Sequence, residues 1–228
     1  MVTRPPLTHA PHIFVNDLDV LELDPADDHH LRVLRIQPGA PVVACDGNGA
    51  WRLCRRATTA LEPDGPTMTS DQPTPSIAIA FALTKGDKPE LVVQKLTELG
   101  VDRIVPFFAE RSVVRWDEPR ALRNVDRLRR VAREAAMQSR RVTLPVLTDV
   151  ASVASIGAQG FVRADRDGEP MSLSRNAVAI GPEGGWSDDE CWWWPGSVAL
   201  AATVLRAETA AIAAASILMA HRERLWAE

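Results

Sequence analysis

The sequence predicts an α/β fold, a mainly parallel sheet with helices on both faces, preceded by a small β-rich domain. Three observations carry that reading. Short apolar runs broken by turn residues fill the stretch from Ile13 to about Thr69. The segment Glu62 to Pro75 is rich in Pro, Thr, Ser, Asp and Gly, has no hydrophobic period, and reads as a linker. Beyond it, strand-like runs alternate with helical patterns, as in parallel sheets wound through helices. The chain accordingly divides into residues 1–72 and 73–228.

Element by element, Val42–Cys45 and Ala50–Cys54 flank Asp46-Gly47-Asn48-Gly49, a hairpin pattern. Ile77–Leu83 is a strand, followed by Asp87-Lys88-Pro89-Glu90, a helix start with a capping Asp and Pro in the first turn. Leu91, Val92, Leu96 and Leu99 form its buried stripe, and Gly100 stands where a helix stops. Val101–Phe108 is the next strand. A long helix runs from about Glu118 to Ser139, with Leu122, Val125, Leu128, Val131 and Ala135 inward. Arg120, Arg123, Arg127 and Arg130 step by three and four and share a second face. Phe161–Ala164, Ala177–Ile180 and Val198–Val204 are further strands. Ser187-Asp188-Asp189-Glu190 is a second capping pattern, and the last helix spans about Glu208 to Trp226.

No apolar run is long enough to span a bilayer, and Met1 to Ala10 lack a signal-like apolar core. Cys45, Cys54 and Cys191 are an odd number without metal-type spacing, which predicts a reducing cytoplasm and neither disulfides nor a metal. His29 and His30 have no Cys or carboxylate to complete a coordination set. Net charge is −4, yet ten arginines and four acids between Arg111 and Arg141 leave that segment at +6. Such concentration fits either a solvated helix or a phosphate-binding face.

Two C-terminal stretches concentrate chemistry: Ile180-Gly181-Pro182-Glu183-Gly184-Gly185 and Val204-Leu205-Arg206-Ala207-Glu208-Thr209. Each ends a strand-like run, and loops at strand carboxyl ends bind ligands in open α/β sheets. Glycine permits close backbone approach, although a purely structural turn uses Gly and Pro as well. Neither stretch has the G-x-G-x-x-G dinucleotide fingerprint or a Gly-Lys-Ser/Thr phosphate loop.

Together with His29–Arg35, Lys85–Lys88, Thr97–Val101, Glu110–Ser112 and Gln138–Arg141, these stretches resemble the bacterial 16S ribosomal RNA uridine N3-methyltransferases of the SPOUT class. The pieces stand in the family's order over nearly the whole chain. The resemblance implies a PUA-like β-barrel for RNA at residues 1–72 and a trefoil-knotted α/β domain at 73–228. It further implies S-adenosylmethionine as cofactor, a homodimer, and the 30S ribosomal subunit as substrate. The cofactor loops would be Ile180, Gly181, Pro182, Glu183, Gly184 and Gly185 with Val204, Leu205, Arg206, Ala207, Glu208 and Thr209. Two features depart from the family pattern. Ala201-Ala202-Thr203 stands where a Gly-Pro-Arg-like stretch is usual, and Trp192-Trp193-Trp194-Pro195 interrupts a helix. These tryptophans serve either packing, within the core or a dimer, or base stacking.

Methylating uracil N3 requires loss of its proton and stabilisation of charge on O2 and O4. Arg206 and Arg111 are the candidate guanidiniums beside the ring, and Glu98 or Glu183 the candidate proton acceptor. Lys85, Lys88, Arg111, Arg115, Gln138, Arg140 and Arg141 are the candidate RNA contacts. Other readings are a non-catalytic RNA-binding protein that kept the fold, and a SPOUT methyltransferase acting at another RNA position.

Overall fold

The computed structural model describes residues 9–224, which form two compact units. One comprises the chain to Pro73 with Arg133–Leu144; the other comprises Thr74–Ala132 with the chain from Pro145. The sequence division after residue 72 therefore misses a short return segment that groups with the N-terminal unit.

The first unit carries β1 (His12–Phe14), α1 (Pro25–Val33), β2 (Pro41–Cys45), β3 (Ala50–Arg56) and β4 (Leu61–Thr69), its sheet ordered β1-β2-β3-β4. The β2–β3 hairpin pairs Val42 with Cys54 and Cys45 with Trp51. Its turn is held by the Asp46 carboxylate, which accepts from the amides of Asn48 at 2.7 Å and Ala50 at 3.0 Å. The linker expected at Glu62–Pro75 is instead largely β4. Strand β4 pairs only with β3, so Pro63 and Pro66 cost little there, and its mostly exposed residues show no hydrophobic period. Helix α1 escapes the sequence reading although Asp24 caps it, accepting from the Asp27 amide at 2.8 Å.

Return-segment residues complete this core. Ala136 and Met137 pack with Ile13, Leu31, Val43 and Trp51. Arg133 makes a two-pronged pair with buried Asp27, at 2.8 and 2.7 Å, and donates to the Phe14 carbonyl at 2.8 Å. His12 is buried with Nδ1 3.3 Å from the Arg141 carbonyl, and burial holds its pKa below the ordinary 6.5. The unfolded chain then binds the proton more readily, so stability is full above pH 6.5 and falls as pH drops through the folded value. Replacing His12 with Asn is expected to flatten that acid limb in urea titrations across pH. An unchanged limb would mean that other groups set it.

The second unit is a parallel sheet ordered β11-β9-β10-β5-β6-β7, with β8 also on β6. Its strands are β5 (Ala78–Ala82), β6 (Arg103–Phe108), β7 (Val146–Leu147), β8 (Ala151–Ser152), β9 (Val162–Pro170), β10 (Ala177–Ile180) and β11 (Ser197–Ala199). The helices are α2 (Lys88–Leu99), α3 (Glu118–Gln138, of which the residues from Arg133 belong to the first unit), α4 (Val153–Ala158), α5 (Asp188–Cys191) and α6 (Ala207–Arg222). Both faces of β5 are buried. Ile77, Ile79, Phe81 and Leu83 meet Val93, Leu96, Leu128 and Leu218, while Ala78, Ala80 and Ala82 meet Phe107, Ile156 and Trp194. That two-sided burial is why the run reads as continuously apolar.

Gly100 ends α2 in the left-handed region, φ +96°, and a Cβ there would lie 2.8 Å from Met219 Cε. The Asp102 carboxylate accepts from the Ile77 amide at 2.8 Å and pairs with Arg222 of α6. Leu91 and Leu122, expected inside, are 41% and 55% exposed, because α2 and α3 each face the sheet through a narrower stripe. The strand expected to reach Val204 ends at Ala199, and residues 200–206 form a loop. Trp226 lies outside the described residues.

Candidate active site

Strands β11, β9 and β10 lie side by side. The loops after β10 and β11, with Ala164–Arg166 of β9, enclose a cavity of about 420 Å³. Ile180, Gly181, Pro182, Glu183 and Gly185 line it from the first loop; Val204, Leu205 and Ala207 line it from the second. The two stretches singled out by sequence thus meet at one place. Gly184, Arg206, Glu208 and Thr209 flank this lining without belonging to it.

The glycines are explained by the protein's own packing. A Cβ on Gly181 would sit 2.8 Å from the Trp186 ring, and Gly185 has φ +73°. A Cβ on Gly184 would come within 3.2 Å of the Arg111 Cβ. Trp186 stacks on Phe107 with 5.9 Å between ring centroids, tilts against Trp194 at 4.8 Å, and donates its Nε1–H to the Ala164 carbonyl at 3.2 Å. One indole therefore fastens the glycine loop to β9.

The predicted capping box forms, with one consequence beyond the cap. Ser187 Oγ accepts from the Glu190 amide at 3.3 Å, and Glu190 Oε2 accepts from the Ser187 amide at 3.0 Å. Glu190 Oε1 accepts from the Glu110 amide at 2.7 Å, which tethers the loop after β6. That tether places Arg111 beside the glycine loop, its Nη1 donating to the Gly184 carbonyl at 3.3 Å. Arg115 is spent on its own loop, donating to the carbonyls of Ala109 at 2.8 Å and Glu110 at 3.0 Å.

Lys88, expected on RNA, pairs with Glu183 and lies 3.6 Å from Glu208 Oε2. The Lys88 hydrogen bond, aided by its charge and that of Arg206, holds the Glu183 carboxyl below its ordinary range. A carboxylate so stabilised is a poor proton acceptor. Glu98 is not brought to the cavity; it pairs with Lys95 of the same helix at 2.8 Å. Arg206 is exposed at the N-cap of α6, between two lining residues. Lys85 lines a separate cavity. Gln138, Arg140 and Arg141 belong to the first unit, Arg141 donating to Thr143 Oγ1 at 3.4 Å.

Sequence reasoning missed Asp165 and Arg166 of β9, Cys191, and Leu200, all in the wall. Only their position beside the two loops, set by strand order, marks them. Ala201 and Thr203, from the stretch that departs from the family pattern, also line the cavity. Among the described residues no cluster of metal-ligating side chains occurs, and no helix is long and apolar enough to cross a membrane.

In this parallel sheet the loops after β10 and β11, whose strands flank β9, line one cavity at strand carboxyl ends, the place where open α/β sheets bind ligands. Residues 70–219 match the model of the RNA methyltransferase domain. The chain is 32% identical over 210 residues to a ribosomal RNA small subunit methyltransferase E of Mycobacterium bovis, covering 82% of this chain and 80% of that protein. Identity to the Bacillus subtilis protein of the same name is 29% over 188 residues, covering 71% and 73%. A crystal structure of the Neisseria gonorrhoeae ribosomal RNA small subunit methyltransferase E bound to S-adenosyl methionine superimposes with a TM-score of 0.79 and 25% identity, over 93% of this chain and 98% of that one. The chain belongs to the ribosomal RNA small subunit methyltransferase E family of RNA methyltransferases.

Proposed function

We propose that this chain methylates N3 of one uridine in 16S ribosomal RNA, using S-adenosylmethionine held in the 420 Å³ cavity. The observation that carries the reading is the convergence of the two loops on that cavity, in a chain of this family. The lining fits such a donor. Ile180, Leu200, Val204, Leu205 and Trp186 offer apolar walls, and the loop backbones offer hydrogen bonds to an adenine. Asp165 and Arg166 supply charges of both signs for the ribose or methionine portions. When bound, the donor supplies an electrophilic methyl on a sulfonium.

The protein's part is position and charge. Arg206 and Arg111, both exposed, would stabilise the uracil anion left when the N3–H proton passes to solvent water. Lys88 restrains Glu183 at the rim. Neither Glu98 nor Glu183 is assigned as proton acceptor. Replacing Arg206 with Ala is expected to lower kcat by about 10²–10³ with donor affinity held within several-fold. Calorimetry beside single-turnover methylation separates the two; a matching loss of donor binding would make Arg206 a cofactor residue only.

RNA contacts are assigned to Lys85, Arg111, Gln138, Arg140 and Arg141, with the N-terminal unit as an RNA-binding domain. The homodimer reading is supported by exposed Trp192 (87%), Trp193 (53%) and Val204 (77%), apolar surface at or beside the cavity wall that a second copy would cover. The cytoplasm, where ribosomes assemble, is the matching compartment.

A further inference from the structure

Lys88 stands between the two loops of the cavity. Its Nζ donates to the Glu183 carboxylate, in the loop after β10, and lies 3.6 Å from Glu208 Oε2, in the first turn of α6. Glu208 Oε2 is sealed from solvent with no hydrogen-bond partner among the described residues, and this ammonium is the cation within ion-pair reach of it. The buried Glu208 thus anchors the ammonium beside α6, and the exposed Glu183 is what the ammonium restrains. Arg206 sits two positions before Glu208, at the N-cap of α6, and is exposed. Its guanidinium makes no hydrogen bond or ion pair among the described residues. Its charge nevertheless reaches Glu183, where it helps Lys88 hold the carboxyl below its ordinary range.

We propose that Lys88 is a positioning residue for methyl transfer: by holding Glu183, it keeps Arg206 unpaired for the uracil anion. Two anions, the Glu183 carboxylate and the ionised uracil, compete for one guanidinium. A carboxylate matches that fork with two parallel hydrogen bonds and is present before the RNA arrives. Without the ammonium, Glu183 turns to Arg206, the other cation whose charge reaches it. The arginine is then neutralised, and the charge that spreads onto the uracil oxygens loses its stabiliser. The inference rests on the methyltransferase reading above, and on the role of Arg206 within it.

The test uses the full chain, with single-turnover methyl transfer to 30S subunits at saturating S-adenosylmethionine. Lys88→Met should lower the rate about five-fold, the share of arginine that an exposed ion pair withholds. In a Glu183→Gln background the same substitution should change the rate by less than about two-fold, because no carboxylate is left to capture Arg206. Thermal unfolding of each sample reports folding, and Lys88→Gln takes the place of Lys88→Met if the latter does not fold. An equal loss in both backgrounds, or no loss in either, overturns the inference; Lys88 then acts by bracing the loops or not at all. Arg206→Ala separates this from the reading beneath it. A fall in rate there, with an equal Lys88 loss in both backgrounds, leaves the methyltransferase assignment standing. A wild-type chain that transfers no methyl overturns that assignment itself.

Discussion

Replacing Gly181 with Val is expected to cost the protein about 10- to 100-fold in S-adenosylmethionine affinity, the equivalent of 1–3 kcal/mol of overpacking. The first carbon added would already lie 2.8 Å from Trp186 Cε2, and two further methyl groups extend into the same ring. That ring cannot yield locally. It is stacked on Phe107, packed on Trp194 and hydrogen-bonded to the Ala164 carbonyl, so its displacement moves the cavity wall. Gly184→Val should be milder, because its nearest neighbour is the Cβ of an exposed arginine at 3.2 Å. Calorimetric titration of both variants with the donor checks the order. If Gly184→Val proves the more damaging, the wall is set by Arg111 and not by Trp186.

The largest stability effect is expected in the first unit. Asp27→Ala leaves the Arg133 guanidinium without its two-pronged partner beside the Phe14 carbonyl, and breaking such a pair costs about 3–5 kcal/mol. For a chain of this length each kcal/mol moves Tm by about 2–4 °C, so a fall of roughly 6–20 °C should appear in calorimetry. Replacing both residues with apolar ones of similar size should recover much of the loss, since no buried charge is then left alone. A single substitution that leaves Tm unmoved would show that the return segment is held without the Asp27–Arg133 pair, by contacts such as those of Ala136 and Met137.

How much of this was legible in the sequence depended on whether the signal was local. The loop after β10 announced itself through glycine and proline, and the loop after β11 through the apolar run before it and the Ala-rich helical pattern after it. Gly100 and the Ser187–Glu190 box followed from capping chemistry confined to a few residues. The linker reading failed at β4 because an edge strand that is mostly exposed carries no hydrophobic period and tolerates proline. The rest depends on contacts far apart in sequence. Lys88 meets Glu183 across 95 positions, Glu190 reaches the Glu110 amide across 80, and Arg133 joins Asp27 across 106. None of these pairings leaves a mark on local spacing. They turn three residues that read as RNA-facing, surface or capping groups into fasteners of loops and core. Asp165 and Arg166 reach the cavity wall only because β9 lies between β11 and β10 in the sheet.

In the proposed function the two converging loops hold a methyl donor for a uridine of the small ribosomal subunit. The most direct measurement is transfer of labelled methyl from S-adenosylmethionine to 30S subunits from cells lacking this chain, with the modified base mapped in the extracted 16S RNA. Label is expected at N3 of a single uridine and is lost with Gly181→Val. Donor binding without label in 16S RNA would contradict the assigned substrate, and absence of donor binding would leave a non-catalytic RNA-binding protein on the same fold.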